Sequence, residues 1–452
     1  MLKRLSRVPH KDRFSVGSKS LTLDPTWSRL PVSEIEEALL RRAAFPEHAT
    51  SLWLNEPTFV MADPSIGGRH GAHEDLAIRV ANCAERMKIP FTTIGHHSSA
   101  AFGGAGFEHC VHHMADMDDE AFAASFANLR ERLGWILNGM RHTPNKHLFL
   151  PLADATTFAI VIDLVAKIPE DERPFVHIAV NWMDGALPNA ERIGAIDKLT
   201  GAVAALNAER ATTVVYGWSR RVAHTLSDAL GMPVQTLDPP LELSLATKTG
   251  EVPSAFTVGF LGTPRRSKGF LRLPAIIKAH NRSAPGPRRT HFLVQLAEDL
   301  AAPGDKACVA AVLEELRSTP ERNVTIIDTP LSREAFFTTL QDMDGLVLPY
   351  CGDTYADRPS SAALHALAAG KMVFTMEGVH FAHAAKGRIV AARDERMLGE
   401  LIYDAASDPL TVRSGSAAAK SAFWANVRPS RLFAQLLYGP TILAKGAALE
   451  GR

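Results

Sequence analysis

Residues 257–270 read TVGFLGTPRRSKGF, and this stretch joins a β-type apolar run to the start of a helix. The apolar run ends at Gly262, and Arg265, Arg266 and Lys268 follow before the helix. Cations just beyond the carboxyl end of a strand suit a diphosphate, because guanidinium groups bind phosphate oxygens bidentately. A solvated basic turn is the alternative, since runs of charge usually face solvent. The stretch therefore predicts a βα unit with an anion site in its loop.

A second strand-to-helix stretch, residues 344–375, reads DGLVLPYCGDTYADRPSSAALHALAAGKMVFT. A polar loop that contains Asp357 follows the strand, and Ser360 and Ser361 begin a helix of small residues that Gly370 ends. Serine caps helix starts, and the exposed N–H groups of a first helical turn attract anions. A helix that only packs on the sheet is the alternative, but it does not account for the polar loop. This stretch therefore predicts a second loop facing the same ligand.

The first half of the chain shows the same alternation of strands and helices. Residues 55–95, NEPTFVMADPSIGGRHGAHEDLAIRVANCAERMKIPFTTIG, read as strand, glycine loop, helix and strand. Gly67 and Gly68 let the backbone approach a phosphate at a helix N-terminus, and a ligand-free turn is the alternative. Strands separated by helices imply parallel sheets covered on both faces. The predicted fold class is therefore α/β, with two Rossmann-like doubly wound domains facing a cleft.

The predicted organisation has five segments. Residues 1–48 form an N-terminal segment, 49–240 the first Rossmann-like domain and 254–425 the second. Residues 238–254 hold three prolines and show weak periodicity, which predicts a linker at residues 241–253. Residues 426–452 form a C-terminal tail, and whether it crosses back to the first domain is left open.

Length, charge and cysteine usage exclude several classes of protein. A chain of 452 residues is longer than chains that fold around a single hydrophobic core, so more than one domain is expected. Lys plus Arg equals Asp plus Glu at 49 each, so no overall field attracts nucleic acid. The four cysteines form no C-x-x-C pair, which argues against a disulfide scaffold or zinc ribbon and favours a cytoplasmic protein. The sequence contains neither a secretory signal pattern nor an uninterrupted apolar run long enough for a membrane span.

Histidine pairs at residues 96–97 and 112–113, with His109 nearby, are the first candidates for a metal site. None follows a helix pattern such as H-E-x-x-H, so no metal is predicted. His97 or His113 instead becomes a candidate to line the first-domain side of the cleft.

Residues 1–20 carry six Lys or Arg against one acid, Asp12. Such a cluster is attracted to anionic lipid, which gives peripheral contact with the inner face of a membrane as one interpretation. A disordered cationic tail is the other interpretation, and the sequence favours it because chain termini are usually untethered.

Residues 256–424 resemble the donor-nucleotide domain of retaining glycosyltransferases of family four, which have the GT-B fold. In that family a strand and a glycine lead to an Arg and then to Lys-Gly, as Gly262 leads here to residues 268–269. The family then has an acidic residue and, after seven intervening residues, a Glu that begins a segment of the Glu-Ala-Met-Ala-x-Gly type. Residues 357–370 have that spacing and ending. Residues 66–68 are similar to the family's opening glycine loop.

The chain departs from the family pattern at several positions. His365 stands where the family has the Glu that holds the ribose hydroxyls, and Asp357 stands in place of the first Glu. Thr263 replaces the Arg after the strand glycine, and Asn181 replaces a His beside the reacting sugar. For His365 we predict a hydrogen bond to ribose and a donor affinity that varies between about pH 6 and 8, because imidazole titrates near neutrality.

The resemblance implies a hexosyltransferase-like enzyme that moves a sugar, with retention, from a nucleotide-diphospho-sugar to a polysaccharide, glycolipid or protein acceptor. Arg265 or Arg266, Lys268 and helix N–H groups would hold the diphosphate, so no metal or further cofactor is required. Asp357 and Asn181 are the predicted catalytic residues. The alternatives are a non-catalytic GT-B fold that binds or scaffolds, and a sugar-nucleotide epimerase. The sequence identifies neither the sugar, the base nor the acceptor.

Overall fold

The fold is built on two parallel six-stranded sheets flanked by helices. The predicted α/β fold with two doubly wound domains is confirmed. The computed structural model describes residues 58–64, 66, 72–95, 119–141, 145–153, 155–180, 201–205, 207, 212–242, 244–247, 255–283, 290–301, 303–318, 323–356, 360–381, 387–425 and 431–439.

The first sheet has the strand order β2-β1-β3-β4-β5-β6. Its strands are β1 (Thr58–Ala62), β2 (Phe91–Ile94), β3 (Lys146–Ala153), β4 (Phe175–Val180), β5 (Thr213–Gly217) and β6 (Gln235–Thr236). Its helices are α1 (Ala72–Arg86), α2 (Asp119–Met140), α3 (Ala155–Ala166) and α4 (Arg220–Leu230). A short helix in the linker, α5 (Ser244–Thr247), leads to the second sheet.

The second sheet has the strand order β12-β11-β10-β7-β8-β9. Its strands are β7 (Phe256–Phe260), β8 (Thr290–Gln295), β9 (Val324–Ile327), β10 (Gly345–Leu348), β11 (Met372–Met376) and β12 (Ile389–Ala392). Its helices are α6 (Leu273–Ser283), α7 (Lys306–Arg317), α8 (Arg333–Gln341), α9 (Gly352–Tyr355), α10 (Ser361–Ala368), α11 (Glu395–Ser407) and α12 (Pro409–Ala425). A last helix, α13, covers residues 431–439.

Local sequence accounts for the strand and helix boundaries. Every residue of the central strands β10 and β11 is buried, as continuous apolar runs in a parallel sheet should be. Helix α4 begins where the Ser219 hydroxyl accepts a hydrogen bond from the Val222 amide at 3.2 Å. It ends at Gly231, whose φ of 60° is the left-handed conformation that glycine tolerates.

The strand order reverses once in each sheet, and this places the ligand crevice. In the first sheet the chain turns to opposite sides of β1, with β2 on one side and β3 on the other. In the second sheet β7 lies between β8 and β10 in the same way. Open α/β sheets bind ligands at the carboxyl ends of strands where this reversal occurs. The loops after β1, β7 and β10 therefore border the expected crevice.

Residues 431–439 return to the first domain. Phe433 of α13 is fully buried, and its ring meets that of Phe59 edge to face with centroids 5.1 Å apart. Leu432 and Leu436 lie in the same hydrophobic cluster as Phe59. The first domain therefore includes a segment from beyond the second one.

A close backbone approach joins the loop after β7 to the end of β10. Gly269 has a φ of 72°, and a Cβ on it would lie 1.8 Å from the carbonyl oxygen of Pro349. The amide of Cys351 also donates a hydrogen bond to the carbonyl of Ser267 at 2.9 Å. Only glycine fits at residue 269, because both the conformation and the space exclude a side chain.

Phe433→Ala should lower the free energy of unfolding by about 3 to 5 kcal/mol, because it removes a fully buried aromatic side chain and leaves a cavity. Leu410→Ala is the control, since Leu410 is 76% exposed and its loss should cost about 0.5 kcal/mol or less. Denaturant unfolding followed by fluorescence measures both. Equal stability of the two variants would mean that α13 does not contribute to the first core.

Gly269→Ala should destabilise the chain by about 3 kcal/mol or more, since it adds an atomic overlap to the cost of a left-handed φ. Gly231→Ala is the matched control: its φ is 60°, but a Cβ there meets nothing within 4 Å. We expect a cost of about 1 kcal/mol for the control. Thermal unfolding of both variants separates the steric from the conformational contribution, and equal costs would contradict the close approach.

Candidate functional site

Lys268 lies over the end of β7. The chain bends back through one turn of 3-10 helix over Arg266–Lys268, closed by a hydrogen bond from the Lys268 amide to the Arg265 carbonyl at 2.9 Å. The Lys268 ammonium thereby comes within 3.6 Å of the point that a Cβ on Gly262 would occupy. Gly262, with a φ of 115°, leaves the strand end open beneath that ammonium.

Two buried tyrosines line the loop after β10. The ring centroids of Tyr350 and Tyr355 are 4.3 Å apart. The Tyr350 hydroxyl lies near the side chain of Ser360, and the Tyr355 hydroxyl lies near the side chain of Ser267. Burial raises the pKa of Tyr355 to about 12 and that of Tyr350 further, so both phenols are protonated at neutral pH. The tyrosines thus join the loop after β7 to the start of α10.

Arg265 and Lys268 form a pair of neighbouring cations at this site. Burial and, second, the charge of Arg265 lower the pKa of Lys268 to about 8. Arg265 is exposed and is electrostatically coupled to Tyr350 and Tyr355. Among the residues that the structure describes, neither cation has a hydrogen-bond or ion-pair partner. An anion placed beside them would therefore restore the charge balance.

Arg266 is directed away from the cation pair. Its Nε donates a hydrogen bond to Asp305 Oδ1 at 2.8 Å, and its Nη2 lies 3.2 Å from Cys308 Sγ. This ion pair raises the pKa of Arg266 above its usual value. Of the two arginines predicted for the diphosphate, the structure brings only Arg265 next to Lys268.

Helix α10 begins beside these groups. The Ser360 hydroxyl accepts a hydrogen bond from the Ala363 amide at 3.2 Å, which caps the helix as predicted from its sequence. The first N–H groups of the helix, at Ser361 and Ala362, have no backbone carbonyl partner within the helix. The side chain of Ser360 also contacts Tyr350. Ser360, Ser361, Lys268 and Gly262 thus belong to one region of the second domain.

His365 lies in a closed environment. Its side chain is 2% exposed, and its ring meets Phe337 edge to face with centroids 5.0 Å apart. Burial, followed by the charge of Arg79, lowers the pKa of His365 to about 3. A ring with that pKa stays neutral between pH 6 and 8, so the predicted titration in that range does not apply to this conformation. The carboxylates of Asp75 and Glu242 face the same ring, and their negative charges act to raise its pKa.

The sequence analysis missed a buried His–Asp pair in the first domain. Asp63 directly follows β1, and His73 is the second residue of α1. His73 Nδ1 and Asp63 Oδ2 are 2.7 Å apart, and both side chains are largely buried. The carboxylate holds one ring nitrogen and leaves Nε2 directed away from it. An acid at a strand end and a His in the next helical turn were the signals that could have identified this pair.

The two domains also touch at the carboxyl end of β5. The Ser219 hydroxyl and His380 Nε2 are 3.1 Å apart. Ser219 caps α4, and His380 follows β11, where its amide donates a hydrogen bond to the Tyr355 carbonyl. The sequence analysis did not single out this contact, because each residue alone has an ordinary turn context.

Several predicted residues lie outside the described part of the chain: Asp357, Asn181, Gly67, Gly68, the histidines at 96–97, 109 and 112–113, and the basic residues 1–20. Their roles stay predictions. Within the described ranges, no helix is long and apolar enough to cross a membrane. No three His, Cys, Asp or Glu side chains converge there as a metal site requires.

The sequence matches no family model and no curated protein. Solved structures are nevertheless similar in fold. A mutant of S. aureus TarM in complex with fondaparinux, alpha-GlcNAc-glycerol and UDP has a TM-score of 0.50 at 10% identity, over 70% of this chain and 59% of TarM. Trehalose 6-phosphate synthase from Burkholderia multivorans has a TM-score of 0.59 at 13% identity, over 88% of this chain and 99% of that chain.

Anabaena HepE in complex with UDP-glucose has a TM-score of 0.50 at 12% identity, over 87% of this chain and 98% of HepE. This chain therefore spans about three fifths of TarM and nearly all of the other two proteins. At such identities the similarity concerns the fold alone. With its two parallel six-stranded sheets flanked by helices, the chain has the GT-B fold of these glycosyltransferases.

Proposed function

We propose that the chain is a glycosyltransferase that takes its sugar from a nucleoside diphosphate donor. The observation that carries this proposal is the cation pair Arg265 and Lys268, which has no described partner and lies at the strand reversal of the second sheet beside the start of α10. A pyrophosphate suits such a site because it accepts from guanidinium, ammonium and helix N–H groups together. The UDP and UDP-glucose in the TarM and HepE complexes support the same class of donor.

The proposed chemistry follows from charge development on the leaving group. The bond between the anomeric carbon and the β-phosphate oxygen breaks, and the electron pair stays on that oxygen. A hydroxyl of the acceptor forms the new bond to the anomeric carbon, and its proton passes to the leaving diphosphate. Lys268, Arg265 and the N–H groups of Ser361 and Ala362 stabilise this charge more in the transition state than in the bound donor. These groups supply the positive charge that a metal would otherwise provide, so we propose that no metal or further cofactor is required.

Arg265 is the proposed bidentate ligand of the diphosphate. Arg266 is excluded from that role in the proposal because Asp305 already pairs with it. In keeping with the family resemblance, we further propose transfer with retention, Asp357 on the sugar hydroxyls and Asn181 beside the anomeric carbon. Gly67 and Gly68 approach the donor from the first domain, and the acceptor enters on that side.

A non-catalytic GT-B protein that binds the donor is the second candidate. It is favoured by His365, because the buried ring at that position lacks the carboxylate that holds ribose in the family. Donor binding without hydrolysis or transfer to any of a panel of sugar, lipid and peptide acceptors would support this candidate. Release of nucleoside diphosphate from a UDP-, GDP- or ADP-sugar supports the enzyme.

Lys268→Ala should weaken binding of the preferred nucleoside diphosphate by about 10- to 150-fold, the equivalent of about 1.5 to 3 kcal/mol for a lost charge-assisted contact. Isothermal titration with UDP, GDP and ADP measures this. Lys278→Ala is the matched control, since Lys278 is an exposed lysine on α6 and its loss changes net charge equally. Arg266→Ala should also stay within about twofold of the unaltered protein. Unchanged affinity in folded Lys268→Ala would contradict the assignment.

Affinity for the diphosphate should fall as pH rises from about 7.5 to 9.5. The charged form of Lys268 binds the anion, and its pKa of about 8 in the free protein means that the charge is lost in this range. Binding therefore takes up a proton, which titrations in two buffers of different ionisation enthalpy detect. Lys268→Arg stays charged throughout and should flatten the profile. Equal pH dependence in both proteins would assign the effect to another group.

A further inference from the structure

One arginine joins three separate parts of the chain. Arg333 begins α8 in the second domain, where Ser332 caps the helix. Its Nε donates a hydrogen bond to Asp75 Oδ1 on α1 of the first domain at 3.0 Å. Its Nη2 donates to the carboxylate of Glu242 in the linker. The separation of these residues along the chain means that the contacts exist only while the domains lie together.

We call the cluster of Arg333, Asp75, Glu242 and Arg79 the Arg333 clamp. Its two arginines and two carboxylates balance one another, and its side chains are partly or fully buried. Arg79 donates from Nε to Asp75 Oδ2 at 2.9 Å and from Nη1 to the Pro240 carbonyl. The side chains of Arg79, Glu242 and Asp75 are only 3%, 12% and 19% exposed. Removing one partner from a buried ionic group leaves an uncompensated charge, which is strongly unfavourable. The clamp therefore acts as a unit.

The clamp is packed against the helix that begins at the proposed donor site. The Arg333 guanidinium carbon lies 5.0 Å from the centre of the Phe337 ring, which meets His365 of α10 edge to face. Asp75, Glu242 and both arginines of the clamp also act electrostatically on His365. A change in the clamp thus reaches α10 directly through packed side chains.

We propose that Arg333 is a positioning residue that holds the two domains closed in the absence of ligand and fixes α10 in that arrangement. A second bridge between the domains is the hydrogen bond between Ser219 and His380, and one such bond adds little by itself. This proposal concerns the ligand-free chain, so it stands or falls separately from the proposed reaction.

The test is small-angle X-ray scattering of the full chain without nucleotide. Arg333→Gln removes the bridging charge and should raise the radius of gyration by about 1 Å above the roughly 22 Å expected of a compact chain of this length. Arg317→Gln is the matched control, because Arg317 loses the same charge from an exposed pair with Asp328 at 3.4 Å in the same domain. An unchanged radius in Arg333→Gln, with the protein folded by circular dichroism, overturns the proposal.

A second measurement keeps the proposal falsifiable if Arg333→Gln does not fold. Arg333→Lys keeps the charge but cannot bond to Asp75 and Glu242 through separate nitrogens of one planar group. It should show an intermediate radius of gyration. Asp75→Asn combined with Arg333→Lys should open the chain by less than the sum of the two single substitutions, because the two residues act through one contact. Fully additive effects would mean that Asp75 and Arg333 do not form a shared clamp.

Discussion

The contact between Gly269 and the Pro349 carbonyl is the constraint on which the candidate site depends. It brings the loop after β7 against the end of β10, two strands that are adjacent in the sheet but far apart in sequence. With the loops in contact, Lys268 comes to lie over Gly262, and Ser267 reaches the hydroxyl of Tyr355. A side chain at residue 269 would separate the loops, and the cations would then no longer face the start of α10.

The candidate site places two cations side by side without a described acidic partner. Arg266, one residue from Arg265, is satisfied by Asp305, and the arginines of the Arg333 clamp are satisfied by acids. Lys268, in contrast, is partly buried beside another cation, and its lowered pKa expresses the free energy that this arrangement costs. A departure from local charge balance is typical of a functional position, because a bound anion recovers that free energy.

The sequence predicts the sheets well because buried parallel strands are apolar throughout and alternate with capped helices. It also predicts the loops with the cations and the cap at Ser360, since these features depend on neighbouring residues. It does not decide between Arg265 and Arg266, because the choice depends on Asp305, 39 residues away from Arg266. The orientation of His365 likewise depends on Phe337 and on α1, which no pattern within α10 reveals.

The Arg333 clamp and the cation pair have opposite consequences for a ligand. The pair gains free energy when an anion binds, whereas the charged groups of the clamp already bond to one another. A closed arrangement that exists beforehand raises affinity, because the binding free energy is not spent on bringing the domains together. It also slows exchange, since a donor enclosed between domains leaves only when they separate. For the donor proposed above, Lys268 would set how tightly it binds and Arg333 how readily the domains separate to release it. Binding and release would then depend on different residues, one in the site and one beside the linker.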